Sequence, residues 1–102
     1  MVIFRRLLGE TLRQVRLDRG MTLRDVSADA RVSLGYISEI ERGQKEASSE
    51  LLASLCAALR VPLSDVLREV SSAVAVEEAQ LELAATPITV ARRPDDVVAS
   101  AA

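Results

Sequence analysis

The side chains able to do chemistry in this 102-residue chain are cations, carboxylates and small polar groups, because histidine is absent and cysteine and tyrosine occur once each. Without histidine, the commonest general base and the commonest metal ligand are both missing. No nucleophile–base pair or metal-ligand cluster can be assembled from the remaining spacings, so neither enzymatic chemistry nor a cofactor is expected. The informative residues gather in "RVSLGYISEIERGQKE", residues 31–46. Arg42, Gln44 and Lys45 form a cationic and polar group suited to phosphate oxygens. Leu34, Gly35, Ser38 and Glu39 are instead suited to base edges. A carboxylate at 39 can accept from a cytosine N4 amino group, and a leucine at 34 can touch a thymine methyl. The alternative for Glu39 is an ion pair with Arg42 on a solvated helix face. The alternative for the three phosphate candidates is ordinary surface polarity.

These residues need elements to hold them. At about 100° per residue, Ile37 and Ile40 share one side of a helix over residues 34–42, and Gly35, Ser38, Glu39 and Arg42 share the other. Ser33 is suited to cap its start and Gly43 to end it. The preceding segment reads as a helix from Thr22, with Thr22 and Asp25 at capping-box spacing, through about residue 30. Two helices so close in sequence must cross steeply, the geometry of a helix-turn-helix whose second helix enters a DNA groove. Thr22, Arg24 and Ser33, at the two helix starts, complete the candidate DNA contacts. Tyr36 is placed at the helix shoulder as a packing residue whose hydroxyl can reach a phosphate.

Before this pair, residues 4–20 read as a helix with Leu8, Leu12 and Val15 on one face. After it, Ser48 caps a segment with Leu51, Leu52, Leu55, Cys56 and Leu59 on a wide apolar face, where Cys56 is a core thiol. Pro62 opens a further helix carrying Leu63, Val66, Leu67 and Val70. Residues 72–85 also read as helical but carry two stripes, Val70, Val74 and Leu81 on one side and Val76 and Leu83 on another. Such a segment has two surfaces to bury. The expected organisation is a domain over residues 1–70, a dimerisation helix over 71–85, and a flexible tail over 86–102.

Net charge is −2, but its distribution is uneven: residues 1–45 hold nine Lys or Arg against six Asp or Glu, while residues 71–102 hold two against five. A basic first part joined to an acidic last part is expected when one end faces phosphates. No apolar run approaches the roughly 18 residues of a membrane span, and the N-terminus lacks a secretory pattern. The single cysteine agrees with a reducing compartment, so a cytoplasmic protein without membrane contact is expected.

Taken in order, Leu12-x-x-Val15-Arg16, Gly20-Met21-Thr22-Leu23, Val32-Ser33-x-x-Tyr36-Ile37-Ser38-x-Ile40-Glu41-Arg42-Gly43, Leu51-Leu52 and Val61-Pro62-Leu63 resemble the Cro/CI, or XRE, family of helix-turn-helix DNA-binding proteins. Within it, "TLRDVS", "RVSLGYISEIERGQKEASSELL" and "CAAL" are similar to activators of Clp protease genes. The resemblance implies an all-α fold: five packed helices of the Cro/CI type, an added C-terminal dimerisation helix, and binding of a palindromic operator in double-stranded DNA as a homodimer. It also implies an ion pair between Arg16 and Glu41, linking the first helix to the end of the reading helix. The family often has Gln where Leu23 stands and Gly where Arg31 stands. The first departure shifts a phosphate contact to helix N-terminal amides or Arg24. The second puts strain of roughly 1–2 kcal/mol into the turn if Arg31 is left-handed.

Val70, Val74, Val76, Leu81 and Leu83 are accordingly the expected dimerisation residues. RNA polymerase is a further candidate partner, as an activator requires. The terminal Ala101 and Ala102 resemble tags read by Clp-type proteases, which makes the tail a candidate degradation signal. A different class of function is a protein-interaction module on the same fold, without specific DNA binding.

Overall fold

The computed structural model describes residues 3–85. Its regular elements are five helices: α1 (Ile3–Asp18), α2 (Leu23–Ala30), α3 (Leu34–Glu41), α4 (Ser49–Leu59) and α5 (Leu63–Ala85). The three expected caps each accept a hydrogen bond from the first turn. Thr22 Oγ1 accepts from Asp25 N–H at 3.0 Å, Ser33 Oγ from Tyr36 N–H at 3.1 Å, and Ser48 Oγ from Leu51 N–H at 3.1 Å. Asp25 completes a reciprocal box by accepting from Thr22 N–H at 2.9 Å. Such caps stabilise short helices that would not persist alone, and α2 and α3 have eight residues each.

Arg31 and Arg60 end α2 and α4 in the left-handed region, both at φ 59°. For a non-glycine residue this costs roughly 1–2 kcal/mol, offset here by the turn bonds it permits. Arg31 N–H and Val32 N–H both donate to Ser27 C=O, and Ser27 Oγ returns a bond to Val32 C=O at 2.6 Å. That compact knot of bonds is the turn between α2 and α3. At the end of α4, Arg19, in the turn just after α1, donates to Leu59 C=O at 2.9 Å and to Arg60 C=O at 3.0 Å. A guanidinium there both satisfies orphan carbonyls and opposes the helix dipole.

The core is formed by Leu7, Leu8 and Leu12 of α1, Val26 of α2, Ile37 and Ile40 of α3, Leu52, Leu55, Cys56, Ala58 and Leu59 of α4, and Val66 and Val70 of α5. Each fully buried aliphatic side chain contributes about 1.5–3 kcal/mol. Burial pushes the Cys56 thiol above its ordinary pKa, as expected of a packing residue.

The helix opened by Pro62 and the segment after Ser71 are one element. Residues 63–85 form a single helix of 23 residues, about 34 Å long. Neither Gly nor Pro interrupts residues 63–85, so the helix runs on through the change in apolar pattern near Ser71, with Ala73 and Val74 still packed against the core. Among the described residues, no helix is long and apolar enough to cross a membrane, and no group of three or more His, Cys, Asp or Glu could hold a metal ion.

Candidate nucleic-acid interface

Position and tilt of α3 are set from below by α1. At Gly9 the two backbones come so close that an added Cβ would collide with Ile40 C=O and stand 2.7 Å from Glu41 C=O. A glycine in mid-helix is normally unfavourable by about 1 kcal/mol relative to Ala, and here it admits the crossing helix. The sequence reading did not single out Gly9, although an isolated glycine inside a helical pattern was the available signal. A few residues on, Arg16 Nε and Nη2 meet Glu41 Oε2 and Oε1 at 2.7 and 3.0 Å, a bidentate pair with both residues less than a tenth exposed. The Glu41 hydrogen bond raises the Arg16 pKa against the opposing effect of burial. Arg16 Nη1 also donates to Met21 C=O at 2.9 Å, so one guanidinium ties α1, the entry to α2 and the end of α3 together. Gly43, at φ +75°, lets the chain leave α3 beside α1; a Cβ there would stand 3.0 Å from Arg6 Cα.

The upper face of α3 is open. Leu34 is 37 % exposed despite being a large apolar residue, Gly35 is exposed, and Ser38 and Glu39 are half-buried. A Cβ built on Gly35 meets nothing within 4 Å, so its own chain gives no reason for a glycine at that point. Arg42 is exposed and donates from Nη1 to Ser38 Oγ and from Nη2 to Gln44 Oε1 at 3.3 Å. A residue assigned to phosphate and one assigned to a base are thereby joined, with Gln44 beside them. The Glu39–Arg42 pair weighed as an alternative is not formed, because Arg42 turns to Ser38 and Gln44 instead.

Tyr36 corrects one expectation. Its hydroxyl donates to Glu46 C=O at 2.9 Å, so the phenol holds the loop that carries Lys45 and its proton is already engaged. Lys45 is exposed on that loop. Thr22 and Ser33 are exposed with their side chains committed as caps, and Arg24 is exposed at the start of α2. Leu23 is half-buried and packs against the core. Hydrogen bonds from Thr22, first its backbone N–H and then its side chain, hold the Asp25 carboxyl below the usual range.

The dimerisation set also needs one correction. Val70 is 2 % exposed in the core of its own chain, and Val74 is packed against that core. Both are taken up by the core of their own chain, so this stripe of the long helix is already occupied. Val76, Leu81 and Leu83 are 58 %, 48 % and 74 % exposed. Ala101 and Ala102 lie outside the described residues.

Three comparisons bear on what such a face belongs to. The family described as a helix-turn-helix domain matches residues 7–70. The transcriptional regulator ClgR of Mycobacterium tuberculosis is 54 % identical over 76 residues, spanning 74 % of this chain and 68 % of that protein. The crystal structure of the clp gene regulator ClgR from Corynebacterium glutamicum superposes with a TM-score of 0.73 at 52 % identity, covering 79 % of this chain and 86 % of that one. The restriction-modification controller protein C.AhdI from Aeromonas hydrophila does so with a TM-score of 0.56 at 25 % identity, covering 64 % and 92 %. With an exposed second helix, a buried pair beneath it and these relatives, the chain belongs to the XRE-type helix-turn-helix family as a transcriptional regulator of the ClgR type.

Proposed function

We propose that the chain activates genes of Clp proteases by binding a palindromic operator as a homodimer, with α3 of each protomer in the major groove. The observation that carries the DNA-reading part is the open face of α3, where nothing approaches Gly35 and Arg42, Ser38 and Gln44 form one polar unit. Leu34, Gly35, Ser38 and Glu39 meet base edges; Arg42, Gln44 and Lys45, with Arg24 and the capped N-termini at Thr22 and Ser33, meet phosphates. Gene choice follows the printed description of the Corynebacterium relative as a clp gene regulator. The exposed Val76, Leu81 and Leu83 join two protomers, putting the recognition helices about 34 Å apart for successive grooves. RNA polymerase is the partner through which activation proceeds, and a Clp protease is the partner of the Ala101–Ala102 tail.

The test is enrichment of bound fragments from the genome of origin by the full chain, followed by gel shifts at several salt concentrations. A discrete palindrome upstream of protease genes supports the reading. No site above background would instead favour the protein-interaction module. On the enriched site, Arg42→Ala or Lys45→Ala is expected to weaken all sequences alike and flatten the salt slope by about one unit each. Glu39→Ala is expected to change base preference at one operator position. Changing Ala101 and Ala102 to Asp is expected to lengthen half-life in the host without altering DNA binding.

A further inference from the structure

Val70, Ala73, Val74 and Glu77 recur at three- and four-residue spacing on one face of α5. Val70 is buried, and Ala73 and Val74 are packed against the core. Glu77 is the next rung, and its Oε2 takes Arg6 Nη2 at 2.7 Å. The described side chains beyond it, Glu78 to Ala84, are all exposed. Among the described residues, the Arg6–Glu77 ion pair is therefore the last tie between the long helix and the body that carries α3. At its other end, Arg6 is braced twice: Nη1 is held by Glu10 at 3.1 Å, and its Cα lies against Gly43, where α3 ends.

We infer that the Arg6–Glu77 pair is a positioning element that fixes the angle of the projecting end of α5 to the recognition helix, and so sets the half-site spacing that the dimer accepts. The inference rests on the dimer proposed above. An exposed pair of this kind adds little to folding stability, yet it can select one orientation among several of similar energy. Eight residues separate Glu77 from Ala85, about 12 Å of helix, so a tilt of about 20° at Glu77 moves the tip by about 4 Å. One base-pair step is about 3.4 Å, so a displacement of that size is one the operator registers. Neither Arg6 nor Glu77 lies on the open face of α3, which separates spacing from base choice.

The experiment measures binding of the full chain to the enriched operator as a synthetic duplex, and to duplexes whose central spacer is shortened or lengthened by one and two base pairs. Wild type, Glu77→Gln, Arg6→Glu, Glu77→Arg and the Arg6→Glu/Glu77→Arg double exchange are compared, with sedimentation of each. Ratios between spacers cancel any overall effect of the changed charge. Wild type is expected to lose about tenfold per base pair of altered spacing, the scale of one mismatched position. Glu77→Gln and the two single reversals are expected to flatten that profile several-fold while remaining dimeric, and the double exchange to restore it. A single variant that is dimeric and keeps the wild-type profile overturns the inference alone, as does a double exchange that fails to restore it. A monomeric wild type overturns the dimer reading and the inference with it.

Discussion

Helix α3 and the projecting end of α5 each turn an unoccupied face outward, but they are held in opposite ways. Eight residues of α3 are capped by Ser33, wedged over Gly9 and anchored by a bidentate buried pair at Glu41. The end of α5 extends past its last contact, the pair at Glu77, with apolar Leu81 and Leu83 in solvent beyond it and Val76 exposed just before it. Reading a groove requires side chains fixed to a fraction of an ångström, which favours a helix determined from several directions. Joining two copies requires an accessible apolar surface, which favours a helix its own chain leaves bare. On the proposed function, the two tasks are separated in one small chain by how completely each helix is packed.

Breaking the anchor under α3 has the largest expected effect. Arg16→Ala leaves Glu41 buried without its partner and is expected to cost about 3 kcal/mol in denaturant unfolding. Replacing both Arg16 and Glu41 by Met is expected to recover most of that stability, because desolvating the pair offsets much of its attraction. Operator affinity should stay low in the double variant if the pair sets the tilt of α3. Gly9→Ala comes next: the added methyl must push α1 from α3, an overpacking cost of about 1–3 kcal/mol visible in thermal unfolding. Both substitutions sharpen the contrast, since nothing comparable lies under residues 78–84.

Smaller effects are expected at the entry to α2. Thr22→Ala removes a cap and should cost about 1 kcal/mol. Asp25, held below its ordinary pKa by Thr22, stabilises the fold while ionised. That contribution is present above the ordinary carboxylate pKa of about 3.9 and is lost as pH falls through the lowered folded value. An acid titration of stability should therefore show wild type converging on Asp25→Asn at low pH. The smallest change in folding is expected at the other region. Leu83→Ser should alter unfolding of the dilute monomer by no more than about 0.5 kcal/mol while shifting the dimer equilibrium in sedimentation. A loss of monomer stability there would break the comparison.

Local physics made much of this legible in the sequence. Thr22, Ser33 and Ser48 were readable as caps because an N-cap is a decision among adjacent residues. Ile37 and Ile40 were readable as the buried side of α3 from helical period alone. The Arg16–Glu41 pairing came through family resemblance, since a separation of twenty-five residues leaves no local trace of it. What stayed hidden depends on distant elements. Arg19 caps α4 from forty residues away, Arg6 meets Glu77 across seventy-one, and Val70 is buried in the core of its own chain instead of facing a second protomer. The Tyr36 phenol turned to its own loop, to a carbonyl ten residues on that no helical period points to.

The vacancy at Gly35 bears on how such regulators diverge. A position whose side-chain space is empty in its own fold can change without a folding penalty beyond helix propensity, and Ala there is even favoured by about 1 kcal/mol over Gly. On the proposed function, selection on that residue acts through the operator and is insulated from the core. If residue 35 reads a base as proposed, a lineage can alter which genes it controls by successive substitutions there while each intermediate remains folded. The same insulation makes this residue an entry point for engineering a family of mutually non-interfering switches on one scaffold.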